Sequence, residues 1–321
     1  MQLTLITINY NGSENTIKLL ESLKNQTDKV FEIIVADNNS DDIGKLMDYK
    51  TSETNIIYIK NDKNLGYSGG NNVGIKKALE MWEADPAQSS SADHQQRGQT
   101  LSGASWVLLL NNDTLPESRL IEYLKANLED KEGIIGLALN EENGTAFAGQ
   151  ISWLKPTLSH ITTPRVVMAK SVDNLWTNDT GCRCYAIGGA VVIHRNVFDK
   201  IGFLDENYFL YFEDADFCQR ARRVGIPISF LPEIKISHSV SASTKKLGPA
   251  MLLRYHYRNA LYFNWKNGPW YIKLLVLPWS WIIAIKQILK IAVGKNREQS
   301  TAILKGVGDF YRKKYGKISN F

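Results

Sequence analysis

One nine-residue stretch, Trp106–Thr114 (WVLLLNNDT), limits the possible folds more than any other part of the chain. Five consecutive apolar residues, Trp106 to Leu110, suit one strand buried on both faces of a parallel sheet and are too few for a helix. The run stops abruptly at Asn111, Asn112 and Asp113. In open α/β sheets, the carboxyl ends of the strands are where ligands sit. One carboxylate flanked by amides suits a hard divalent cation that keeps several waters and takes further oxygens from a phosphate. A plainer reading is equally open, in which Asn and Asp form a strand-to-helix turn and cap a helix at Pro116.

The pattern of an apolar run ending in polar residues recurs upstream. Leu3–Ile8 ends in Asn9-Tyr10-Asn11-Gly12, with a helix expected from Ser13 and Ser13 or Asn11 as its cap. Phe31–Ala36 runs into Asp37-Asn38-Asn39-Ser40, and Asn55–Lys60 makes a third strand. Asp37 reads either as an acceptor for a base or ribose or as part of a helix-capping cluster. The turn after Asn9 holds only Gly12, so the Gly-x-Gly-x-x-Gly of dinucleotide-binding folds is missing. The stretch Asn64-Leu65-Gly66-Tyr67-Ser68-Gly69-Gly70-Asn71-Asn72 opens a helix through about Trp82. Its glycines allow close backbone approach, and N–H groups at a helix start favour phosphate. Residues 85–103 are polar and read as an exposed insert.

Past the central stretch, a helix is expected over Glu117–Glu129, a strand over Gly133–Leu139 and a hairpin turning at Asn143-Gly144. Lys155–Gly181 reads as a loop region over the site. Gly188 and Gly189 precede a strand, and suggest a backbone passing beneath a ligand or a simple bulge. In Tyr208–Arg223 (YFLYFEDADFCQRARR) the aromatics come first, then Glu213, Asp214 and Asp216, then a helix. Carboxylates at a helix start are favoured by its dipole, and one beside an aromatic wall can also meet an incoming hydroxyl as a general base. Pro227–Leu231 and Ile234–Ser237 read as two strands, the second closed by His238, whose ring nitrogen could ligate a metal. On the helix Leu252–Trp265, Tyr255, Arg258 and Asn259 share a face.

The net charge of +5 is unevenly spread. From Trp265 onward there are 11 Lys/Arg against two Asp/Glu, a net +9, while the first 264 residues carry 27 against 31, a net −4. An acidic body with a basic end excludes a whole-surface nucleic-acid binder and points the end towards an anionic surface. Trp270–Val293 is strongly apolar yet carries Lys273, Lys286 and Lys290, with Trp265, Trp270, Trp279 and Trp281 around its start. That is the pattern of a helix lying in a membrane interface, with Lys286, Gln287 and Lys290 on one side, and Arg312–Lys317 adds a basic tail. The three cysteines offer no paired framework, and the N-terminus lacks a signal-peptide pattern, so a cytoplasmic protein on the inner membrane face is expected.

Taken in order, these motifs resemble those of the family 2 inverting glycosyltransferases of the GT-A fold, in particular the bacterial rhamnosyltransferase branch. The resemblance covers residues 1–265. It implies an α/β GT-A fold, with a Rossmann-like, mostly parallel sheet flanked by helices. Residues 1–140 would form the nucleotide-sugar half, 141–265 the acceptor half, and 266–321 a helical membrane-associating extension. By resemblance, Thr7, Asn9, Tyr10 and Asp37 would meet the nucleotide base. Asn64, Gly66, Asn71 and Asn72 would form the ribose and diphosphate loop. Asn111-Asn112-Asp113 stands where the family has an Asp-x-Asp metal motif. Asn111 departs from it, leaving Asp113 as the main ligand of Mg²⁺ or Mn²⁺, with His238 completing the site. Asp214 would be the base beside Glu213, with Gly188, Gly189 and Arg258 on the acceptor side or behind it. The implied donor is dTDP-rhamnose or a UDP-linked sugar, and the implied acceptor is a polyprenyl-diphosphate-linked saccharide in O-antigen or cell-wall polysaccharide synthesis. A non-catalytic nucleotide-sugar-binding protein and a structural membrane adaptor are the alternatives of other classes.

Overall fold

A computed structural model describes residues 1–49, 55–84, 104–142, 144–164, 184–238 and 242–318. Its strands are β1 (Gln2–Asn9), β2 (Glu32–Asp37), β3 (Ile56–Lys60), β4 (Ser105–Leu110), β5 (Thr114–Leu115), β6 (Ile134–Glu141), β7 (Gly144–Ala146), β8 (Ala148–Gln150), β9 (Ser159–Ile161), β10 (Cys184–Tyr185), β11 (Ala190–His194) and β12 (Ile228–His238). Its helices are α1 (Ser13–Lys24), α2 (Ile43–Met47), α3 (Gly66–Glu83), α4 (Leu120–Leu128), α5 (Arg195–Ile201), α6 (Glu213–Arg223), α7 (Ala242–Asn267), α8 (Trp270–Ala292) and α9 (Arg297–Tyr311).

The main sheet runs in the order β3-β2-β1-β4-β11-β6-β12-β5, with β7 beside β6. Strands β1 to β4 pair in parallel, β11 runs against both β4 and β6, and β12 is parallel to β6. Six strands therefore point the same way, as expected for a mostly parallel sheet. The chain steps outward from β1 to β3 and then returns to the other side of β1 with β4, which creates a switch point at the β1 and β4 carboxyl ends.

All six residues of β4 are buried, and the reason is visible in the packing. Leu108 and Leu110 face a core shared with Leu19, Leu23, Ile121 and Leu124 of α1 and α4. Val107 and Leu109 face the opposite core, with Ile75 and Trp82 of α3, Phe217 of α6 and Phe263 of α7. A strand covered on both sides has no face that benefits from polar residues, so the run is continuous rather than alternating.

Several local expectations are corrected. No helix begins at Pro116: β5 intervenes and α4 starts only at Leu120, so Asn111–Asp113 cap nothing. Neither Ser13 nor Asn11 caps α1; Asp42 accepts the Ser13 N–H at 3.0 Å and the Ser13 hydroxyl at 2.9 Å. The two strands expected around Pro232 are one, β12, interrupted by a register shift between Leu231 and Lys235. The insert 85–103, Asn143 and most of the expected loop Lys155–Gly181 lie outside the described residues, as does Cys182. Cys184 is disulfide-bonded, against the expectation of unpaired cysteines, whereas Cys218 is free and buried.

The C-terminal helices form an antiparallel layer against α7. Leu261, Val276, Ile283, Ile303, Val307 and Phe310 make a small core of their own. On α8, Ile272, Val276, Ser280, Ile283 and Gln287 point inward at helical spacing. Gln287 thus does not share an outer face with Lys286; its side chain accepts from the Ser300 hydroxyl at 3.1 Å. The opposite face leaves Trp270 74%, Leu274 66% and Trp281 65% exposed. At 23 residues and a mean hydropathy of 1.6, α8 is long and apolar enough to cross a membrane by length and composition.

Candidate active site

At the switch point, the strand ends open onto a cleft of about 540 Å³. Its walls include Tyr10, Asn64, Gly66, Asn71, Asn111, Asn112, Asp113, Gly188, Gly189, Glu213, Asp214 and His238. Four distant segments of the chain thus converge, with Asp113 and Asp214 in the same cavity.

Asp113 is only 6% exposed, yet neither carboxylate oxygen has a hydrogen-bond partner. Its nearest polar neighbour is His238 Nε2, 3.3 Å from Oδ1, and the other ring nitrogen, Nδ1, lies 3.1 Å from Glu141 Oε1. Burial works against a charged imidazole, but Asp113 and Glu141 together outweigh it and hold the His238 pKa above its ordinary value. A buried carboxylate with unpartnered oxygens fits a divalent cation better than it fits an apolar core. Among the described residues, no group of three or more His, Cys, Asp or Glu is arranged to enclose a metal. His238 meets the two carboxylates through opposite nitrogens, so they do not converge on one point. That incomplete shell suits Mg²⁺ or Mn²⁺ completed by phosphate oxygens and water.

Across the cleft, α6 begins with Glu213-Asp214. Asp214 Oδ2 accepts the Gly188 N–H at 3.1 Å, and Oδ1 accepts the Ala215 N–H at 2.7 Å. Burial holds its pKa above the usual carboxylate value, and those two N–H groups and His160 offset only part of the rise. Glu213 is buried without comparable help, and burial together with the Asp214 charge drives its pKa well up. Both carboxyls of this pair are therefore raised, Glu213 further than Asp214, and their titrations are linked.

The segment leading into α6 is strained. Phe209, Tyr211 and Phe212 have φ of 64°, 70° and 76°, a region bulky residues rarely occupy. Asn259 Nδ2 lies 3.1, 2.7 and 3.0 Å from the carbonyls of Tyr208, Leu210 and Tyr211. Arg258 Nη2 donates to the Tyr208 carbonyl at 2.9 Å, and the Tyr67 N–H to that of Phe209 at 2.7 Å. The aromatic wall expected from the sequence is therefore held from α7 and α3.

Five expected site residues do not line the cleft. Thr7, Asn9, Asp37, Asn72 and Arg258 are buried, and all except Thr7 have their polar atoms bonded within the fold. Asn9 Nδ2 donates to Asp37 Oδ1 at 2.8 Å, and Asp37 Oδ2 accepts the Ser40 N–H at 2.9 Å, so this pair staples β1 to β2. Asn72 bonds both backbone groups of Leu204. Arg258 braces the aromatic segment. The glycines also serve packing. A Cβ on Gly66 would meet the Phe209 carbonyl oxygen at 2.4 Å, and one on Gly74 would meet Ile6 Cγ2 at 2.4 Å. Within the cleft wall, Asn64 accepts the Gly66 N–H at 2.8 Å, and the Tyr67 hydroxyl donates to the Gly188 carbonyl.

The sequence reading gave no individual site role to Glu141, His160, His256, Asn38, Tyr67 or Lys317, all of which line the cleft. For Glu141 a signal existed, because it ends a strand just as Asp113 follows one. For the others, nothing local distinguishes them.

Residues 4–82 match the sequence profile described as Glycosyl transferase family 2. The chain is 26% identical over 257 residues to the low-salt glycan biosynthesis hexosyltransferase Agl10 of Haloferax volcanii, covering 80% of this chain and 73% of that protein. It is 24% identical over 274 residues to the N-acetylglucosaminyl-diphospho-decaprenol L-rhamnosyltransferase of Mycobacterium tuberculosis, covering 81% and 83%. The crystal structure of S. aureus TarS 1–349 in complex with UDP-GlcNAc superposes with a TM-score of 0.55 at 14% identity, over 97% of this chain and 81% of that one. Of a longer TarS chain, this one spans 40% of the length. Residues 4–82 thus carry a family 2 glycosyltransferase profile, the longer alignments run to hexosyl- and rhamnosyltransferases, and the fold is GT-A-like.

Proposed function

We propose that this protein transfers L-rhamnose from dTDP-rhamnose, with inversion, to a hydroxyl of a lipid-linked or growing cell-surface saccharide. The observation that carries the reading is the pairing of Asp113, whose buried oxygens lack a hydrogen-bond partner and face only the His238 ring, and Asp214, aligned by two N–H groups, in one cleft. Asp214 takes the proton from the acceptor hydroxyl. The acceptor oxygen attacks the anomeric carbon from the face opposite the leaving group, and the bond from that carbon to the nucleoside diphosphate breaks. The departing diphosphate needs no proton, so one carboxylate suffices where glycoside hydrolysis uses two. Asp113, with His238 Nε2 beside it, would hold Mg²⁺ or Mn²⁺, which when bound neutralises charge gathering on the diphosphate.

A polyprenyl-diphosphate-linked acceptor is supported by the name of the mycobacterial relative, and an association with the cytoplasmic membrane face by the exposed Trp and Leu face of α8. A UDP-linked hexose is the second donor reading, favoured by the TarS complex with UDP-GlcNAc. A panel of nucleotide sugars with a lipid-diphosphate acceptor, read by product mass and anomeric configuration, tests the proposal. Asp214→Asn should abolish transfer while nucleotide affinity stays near wild type. Tight nucleotide binding with no transfer from any donor would instead indicate a non-catalytic binding protein.

A further inference from the structure

Among the described residues lining the cleft, Lys317 is the only Lys or Arg. It comes from the tail after α9, a segment whose basic composition points to a membrane surface. The fold ties that tail to the catalytic wall instead. Arg258 Nη1 donates to the carbonyls of Gly316 at 2.7 Å and Lys314 at 3.3 Å. The Gly316 N–H donates to the Asn207 carbonyl at 2.7 Å, and the Ile318 N–H to the Tyr255 hydroxyl at 2.9 Å. Tyr315 packs on Tyr262 with ring centroids 4.4 Å apart. The turn depends on Gly316, at φ +74°. These contacts fix the backbone on both sides of Lys317, whose own side chain stays exposed and has no ion pair among the described residues.

The carboxylates Asp113, Glu141 and Asp214 line the same cleft. A cavity lined this way repels a diphosphate unless cations offset it. The tail also adjoins the glycine-loop side. Tyr255, which anchors Ile318, stacks on Phe209 at 5.5 Å, and the Phe209 carbonyl lies against Gly66. We infer that Lys317, held at the cleft by the folded-back tail, is a diphosphate contact of the active site. The inference rests on the transferase reading for the ligand class. Two diphosphates could occupy this position, that of the donor nucleotide and that of the lipid-linked acceptor.

The test uses the full chain and its Lys317→Gln and Lys317→Arg variants, with unchanged thermal unfolding confirming the fold. Calorimetry with a nucleoside diphosphate and with the matching nucleoside reads the donor arm. KM for a saccharide carrying a lipid diphosphate, against the same saccharide as a neutral alkyl glycoside, reads the acceptor arm. Loss of one charge-assisted contact should weaken one of the two diphosphate ligands by about tenfold. The nucleoside and the neutral glycoside should be unaffected, and Lys317→Arg should restore most of the loss. The arm that moves identifies the diphosphate. If Lys317→Gln changes neither diphosphate ligand by more than about twofold, the inference is wrong while the transferase reading stands. If the wild type transfers no sugar, that reading fails, and the nucleoside-diphosphate arm still decides the role of Lys317.

Discussion

Asn259 holds the strained segment that leads into Asp214. Three bulky residues in left-handed backbone, Phe209, Tyr211 and Phe212, each cost about 1–2 kcal/mol, so the segment stores about 3–6 kcal/mol. Asn259 faces three of its carbonyls but has only two N–H donors, so at most two full bonds form at once. At about 1–1.5 kcal/mol each, they supply about 2–3 kcal/mol against that strain. Asn259→Ala removes them and leaves buried carbonyls unpaired. The expected outcome is a fall in stability of about 3 kcal/mol, read as a lower denaturant midpoint at an unchanged slope. The relaxed segment shifts the start of α6, so kcat should fall by tenfold or more while nucleotide affinity holds. Asn259→Asp, of the same shape but without donors, should fall at least as far. A variant with wild-type stability and wild-type kcat would refute the argument, because the strain would then have some other support.

Further outcomes follow from other parts of the molecule. Burial pulls the His256 pKa down to about 4, so the fold favours the neutral ring. Its contribution to stability is complete above the unfolded value of about 6.5 and is lost as pH falls from there towards 4, to about 3 kcal/mol. Unfolding measured at pH 7 and pH 4.5 should show that loss in the wild type and much less of it in His256→Gln. On α8, Trp281→Glu together with Ile285→Glu should weaken binding to vesicles containing anionic lipid by more than tenfold. Turnover of a water-soluble acceptor should not change, because both side chains point away from the core.

The strand-end residues were legible because a buried strand and its polar stop leave a local mark. Asp113 ends the longest apolar run of the first half, and Asp214 opens a helix behind a block of aromatics. Asn9 and Asp37 carry the same mark but sit opposite each other in the β1–β2 register, so they bond to one another behind the cleft. No pattern within either strand reveals that pairing. Gly66 read as room for a ligand, yet Phe209 fills the space, and that partner lies far away in the chain. Pro232 suggested a break where β12 absorbs it as an irregularity, because β6 continues to pair on both sides. Gln287 looked like part of a polar outer stripe until its partner Ser300, on the next helix, was located. Lys317 read only as part of a basic tail, since the ties that place it at the cleft come from Tyr255 and Arg258 of α7.

The reversed strand β11 has one further consequence. Because it runs against β4, its first residues meet the last residues of β4: Ala190 sits opposite Leu110, and the Asn111 N–H donates to the Gly189 carbonyl at 3.1 Å. Gly188, which grips Asp214, and Asp113, two residues past Asn111, are thereby mounted on adjoining ends of two neighbouring strands. In the proposed transferase, the width left for a sugar ring would be set by ladder spacing, so residues around the rim could change to suit another sugar without altering the distance between the two strand ends.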